Sequence, residues 1–116
     1  MALMSLSVFN TTATAVSLKL VRVTTAGTQG TAQSRMPLDA ADAASNGIVY
    51  TTHTVAPTIT SGDLYRFLLG ASIGSGVVLS FQANPIIIPA TANNGLALVV
   101  STGTGQICEV TWGWSE

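Results

Sequence analysis

A chain of 116 residues is long enough for one domain with one core, near the size at which association with copies adds much of the stability. Hydrophobic residues make up 47% of it and charged residues 8%, which leaves too few charges to cover a soluble monomer. The net charge of −1, with Lys19, Arg22, Arg35 and Arg66 scattered along the chain, excludes a nucleic-acid binder that works by neutralising phosphates.

The first segment, Met1 to Phe9, is apolar but has no positive n-region or cleavage signal, and Ser5, Ser7 and Asn10 interrupt it, so it reads as a strand. Leu3, Leu6, Val8 and Phe9 have little chain in which to turn before the next strand. Residues 1–10 are therefore expected to be a docking arm that pairs with a neighbouring subunit or a larger partner. From Thr14 to Thr24, Val16, Leu18 and Leu20 share one face while Ser17 and Lys19 share the other, the alternation of a half-buried strand. Thr25 to Thr31 is a glycine-punctuated turn. Ala32 to Asn46 has weak β character, and its DAADAAS core suits a short helix or a surface loop. Asn46-Gly47 signals a turn ahead of a β-branched strand from Ile48 to Val55.

Pro57 and Ser61-Gly62-Asp63 break the chain before a strand at Leu64 to Leu69, and Gly70 to Gly76 break it before Val77 to Ala83. Pro85 and Pro89 flank Ile86 to Ile88. Proline cannot donate to a ladder, so this short strand belongs at an edge or a sheet-switching corner. An Asn-Asn-Gly turn at residues 93–95 leads into Leu96 to Ser101, apolar on both faces as in a strand covered on each side, and a Gly-Thr-Gly turn leads into Gln106 to Ser115. In that last strand Cys108, Val110, Trp112 and Trp114 share a face. The final third thus reads as a closing meander in which the hairpin-like segment from Leu96 to Ser115 forms central strands, with Val110 and Trp112 in the core. About eight short strands separated by turns, with no repeat or linker, predict a single-domain, all-β antiparallel sandwich or jelly roll.

No segment carries the pattern of a catalytic or cofactor site. His53, the one histidine, has no nearby nucleophile or orienting carboxylate in sequence and is expected to be structural or a surface residue. Cys108, the one cysteine, excludes an internal disulfide, leaves a zinc cage short of ligands, and alternates with apolar neighbours as a core residue does. Asp39 and Asp42 are too few for a calcium site, and the glycine clusters lack phosphate-loop spacing and a following helix, so neither a metal nor a cofactor is expected. Asn10-Thr11-Thr12 matches a glycosylation sequon without a secretory signal to use it. Trp112 and Trp114 suit a core or subunit interface, the alternative being the stacking platform of a carbohydrate-binding module. No apolar stretch approaches the roughly 20 residues of a membrane-spanning helix, so no membrane partner is expected.

The run from Pro85 to Pro89, the segment Asn94-Gly95-Leu96-Ala97-Leu98 and the ending Val110-Thr111-Trp112-Gly113-Trp114-Ser115-Glu116 resemble the small structural proteins of tailed bacteriophage particles, most closely the head decoration or cement type. The likeness covers about the final thirty residues and has no catalytic residues to transfer. It implies a non-enzymatic building block, made in the host cytoplasm and carried on the capsid exterior of the virion, that clamps major capsid protein subunits together. Proteins of this type are frequently trimeric β-sandwiches, so a homotrimer is expected, and a neck, tail or fibre component is the alternative within the same class.

Overall fold

A computed structural model describes residues 1–91 and 94–116, so Asn93 of the expected Asn-Asn-Gly turn lies outside the described residues. The elements are β1 (Ala2–Asn10), β2 (Val16–Val23), β3 (Thr31–Ala32), β4 (Tyr50–Thr51), β5 (Ile59–Leu69), β6 (Gly76–Ser80), β7 (Ile86–Ile87), β8 (Gly95–Thr102) and β9 (Cys108–Ser115), with no helix among the described residues. All ladders are antiparallel. One sheet is built on β1, with β6 and β7 end to end along one side and β9 along the other. A second has the order β5-β2-β8, and β3 pairs with β4 in a small third sheet. The chain is an all-β sandwich, as its turn spacing predicts. The steps β1 to β2, β5 to β6, β7 to β8 and β8 to β9 each cross from one large sheet to the other.

The N-terminal segment is not a docking arm. Residues Ser5 to Phe9 pair with both β6 and β9, and Ala2 and Leu3 pair with both β7 and β9, so β1 is the central strand of its own sheet. Its partners lie between residues 76 and 115, too far along the chain to form a local hairpin with it. Leu3, Leu6 and Val8 are buried against Val16, Leu18 and Leu20 of β2 and against Leu69, Phe81 and Ile86. The spacing from Leu3 to Leu6 violates the two-residue period of a strand. A register shift between Leu3 and Ser5 opposite β9 leaves Met4 as an extra residue, and this bulge returns Leu3 to the core face. Phe9 alone of the four keeps appreciable exposure, with its ring packed over Gly76 on the outer side of the sheet.

β2 is the central strand of the second sheet, and the face formed by Val16, Leu18 and Leu20 is the one its alternation predicts. Eight of the eleven buried apolar side chains among the described residues lie on β1 or β2, so these two strands are the centre of the core. Ser61-Gly62-Asp63 does not interrupt the chain. It lies inside β5, where two register shifts against β2 absorb extra residues and Gly62 takes a φ of 94°.

Asn10 closes the core at the end of β1 with no exposed surface. Its side-chain amide donates to the carbonyls of Thr14 (2.7 Å) and Gly70 (3.1 Å), and its Oδ1 accepts from the N–H (2.9 Å) and hydroxyl (2.7 Å) of Thr12. The β1–β2 and β5–β6 connections are thereby tied to one buried group. The same bonds remove Asn10 from any role as a glycosylation site, because the nitrogen that would carry the sugar is buried and doubly engaged.

The stretch from Ile48 to Val55 contains only the two residues of β4 and a bridge from Val55 to Thr28. Thr52 adopts a φ of 56°, which ends the extended run, and the one adjacent ladder is the two-residue β3. The DAADAAS stretch forms a turn in which the Asp42 N–H donates to the Asp39 carbonyl (3.0 Å) and the Ala41 N–H to Asp39 Oδ1 (2.9 Å). β7 lies at a sheet edge, as its flanking prolines predict. The closing strands do not form a meander, since β7 and β9 join the first sheet and β8 the second.

Candidate functional site

β8 and β9 were expected to be central strands, and both are edges: among the described residues β8 pairs only with β2 and β9 only with β1. The sandwich is open between them. There the structure holds a cleft of about 820 Å³, walled by Leu96, Leu98 and Val100 of β8 and by Val110, Trp112 and Trp114 of β9, with Leu3 from the core beneath. Residues 47–53 of the β2–β5 excursion form a third wall. Every residue from Gly95 to Val100 lines the cleft, both alternating faces included, which is how a strand presents its free backbone edge.

Apolar residues put on an edge are covered from one direction only. Leu96, Leu98 and Trp112 are half-buried against the core, while Val100 is 50% exposed and Val110 38%. The expectation that Leu96 to Ser101 is covered on each side, with Val110 in the core, fails for this reason. Trp112 packs toward the core opposite Leu6, and Trp114 lies opposite Leu3. The indole N–H of Trp114 donates to Ser45 Oγ (2.9 Å), so that ring fastens a loop of its own chain.

Glu116 completes this fastening. Its carboxylate accepts from Ser45 Oγ (2.7 Å) and from the N–H groups of Gly47 (2.8 Å) and Asn46 (3.2 Å). These bonds favour the charged form, with the Ser45 bond foremost, and hold the carboxyl below its ordinary range. Gly47 is buried between Met1 and Trp114, and a Cβ there would collide with the Met1 side chain and press on the indole. The Asn46-Gly47 turn signal therefore marks a point of tertiary closure as well as a bend.

Among the described residues the ionisable side chains lie apart from one another or in surface pairs. No Asp, Glu, Lys or Arg lines the cleft among the described residues. His53 lies exposed on its wall, with no carboxylate among the lining residues to orient the imidazole. Cys108 is half-buried against the core, and burial pushes its thiol pKa up, away from a nucleophilic thiolate. Asp39 and Asp42 share only their turn, and no group of three or more His, Cys, Asp or Glu converges among the described residues. The most charged cluster is on the outer side of the second sheet, where Asp63 lies 3.6 Å from Lys19 and bonds to Arg66. The Arg66 bond is the main cause of its lowered pKa.

The β8–β9 cleft was not anticipated from the sequence. The signal for it was an eight-residue strand, GLALVVST, with no charge and no proline to protect an edge. The chain matches no protein-family model, no curated protein and no solved structure.

Proposed function

We propose that this protein is a non-enzymatic assembly subunit, and that the assembly is a tailed-phage particle in which it decorates the capsid exterior and clamps major capsid protein subunits. The observation that carries the assembly role is unspent apolar surface. The accessible area is 7321 Å² for 11.9 kDa. A compact monomer of that mass exposes about 5,900 Å². Leu38, Met36, Ile73, Leu68 and Val78 are all more than two-thirds exposed. With four cations and five anions in the whole chain, little electrostatic repulsion opposes close packing of copies. The capsid assignment rests on the likeness of the last thirty residues to decoration proteins.

A carbohydrate-binding role is less well supported, because Trp114 spends its N–H on Ser45 and Trp112 packs against the core. The test is to add the purified protein to tailed-phage capsids stripped of their decoration and measure co-sedimentation and capsid heat stability. Saturable binding with a raised capsid disruption temperature is the expected result. A protein that neither binds nor stabilises such capsids does not have the decoration role.

A further inference from the structure

The excursion between β2 and β5 carries a loop that, among the described residues, is held only at its base. On the outgoing side the Gln33 N–H donates to the Val49 carbonyl (2.9 Å) and Arg35 Nη1 to the Gly47 carbonyl (3.4 Å). On the returning side Ser45, Asn46 and Gly47 are fixed by Glu116 and Trp114. Between these ties, at the tip, Met36 is 88% exposed and Leu38 fully exposed. Loop tips ordinarily carry small or polar residues, and two large apolar side chains held in water leave a hydrophobic gain unrealised. None of residues 34–46 lines the cleft of its own chain, although Gly47, next to the clamp, does.

We propose that the apolar tip of this loop, Met36 and Leu38, seats in the β8–β9 cleft of a second copy while the Asp39–Asp42 turn stays outside in water. The inference rests on the assembly role above and names its self-contact. The cleft offers what such side chains need, namely apolar walls from Leu98, Val100 and Val110, beside a strand β8 that among the described residues is paired on one side only. It presents no charged side chain that the loop would have to desolvate. The excess accessible area of roughly 1,400 Å² over a compact monomer exceeds the approximately 800 Å² that each partner buries in a standard interface. Because loop and cleft are different surfaces, the contact is head-to-tail, and it closes into a ring where the rotation between copies permits.

The experiment uses two variants of the full chain. The double variant Met36→Asp with Leu38→Asp alters side chains that nothing in its own copy covers, so its circular dichroism and melting should match the wild type. Val100→Arg places a long cation at an exposed point of the cleft wall. Light scattering at micromolar concentration should give an oligomer for the wild type and a monomer for each variant. An equimolar mixture of the two variants should give a dimer, since the loop of one and the cleft of the other together rebuild one intact contact.

A monomeric wild type, variants that still assemble, or a mixture that stays monomeric would each overturn the exchange. Loss of assembly by Val100→Arg alone would assign the cleft edge to β8–β8 pairing instead. Capsid binding is a separate readout. A wild-type ring that ignores capsids removes the decoration role and leaves the loop exchange standing.

Discussion

The β1–β2 pair and the β8–β9 pair are both rich in apolar residues, yet they have opposite fates. Leu6, Val8 and Leu20 on the first pair have no exposed surface, whereas Val100 and Val110 on the second keep 50% and 38%. The difference lies in neighbours. β1 and β2 each have partners on both sides and face one another across the core, and β8 and β9 each have a partner on one side and face a cleft. A strand's apolar pattern fixes which face turns inward, but coverage of that face depends on where the strand lies in its sheet.

The most drastic way to break this contrast is to remove β1. Deleting residues 2–9 takes the central strand from one sheet and Leu3, Leu6 and Val8 from the core, so the truncated chain should lose cooperative folding. Circular dichroism and amide dispersion in NMR spectra would report it. A folded, soluble truncation would mean that β6, β7 and β9 can close a sheet without β1.

Point substitutions sharpen the comparison. Leu20→Ala should cost about 3–5 kcal/mol in urea denaturation, the upper range for a fully buried leucine. In the background of Met36→Asp with Leu38→Asp, where no second copy fills the cleft, Val110→Ala on the open edge should cost less than about 1 kcal/mol, as partly exposed sites do. Equal losses at the two positions in that background would show that something other than the loop covers Val110.

Asn10→Ala should cost about 2–4 kcal/mol, because it leaves the carbonyls of Thr14 and Gly70 without their donor beside the core. Asn10→Asp should be nearly as damaging, since a carboxylate cannot donate to either carbonyl. A neutral result at Asn10 would mean that water replaces these bonds and that the two connections are not coupled through it.

The smallest expected effect is at the cleft rim. The folded-state pKa of Glu116 lies below its ordinary value of 4.5, so its bonds to residues 45–47 contribute above that value and are lost as pH falls through the lower folded one. Acidification below pH 4.5 should change Trp114 fluorescence through release of Ser45 before the core melts. Glu116→Gln should abolish the pH dependence of that change. A fluorescence step that persists in Glu116→Gln would belong to another group.

Much of the architecture was legible along the chain. The alternation in Val16, Leu18 and Leu20, the proline-bounded edge strand at Ile86 and Ile87, and the shared face of Cys108, Val110, Trp112 and Trp114 all follow from local pattern. Their legibility has a physical cause, since the two-residue period and the missing proline donor act within a few residues. The arm reading of residues 1–10 failed because the partners of β1 lie about seventy to more than a hundred residues away. A central position can be seen only when those distant segments are in place.

Composition and local pattern were enough to read an all-β chain with one core and too few charges to cover its surface. The tertiary structure alone decided which strands are central and which are edges. It opened the cleft between β8 and β9, and it brought Glu116 and Trp114 onto Ser45 about seventy residues away. The reason is the range of the forces involved. Side-chain alternation and turn chemistry are set by covalent neighbours, while strand order is set by the burial that remote segments achieve together.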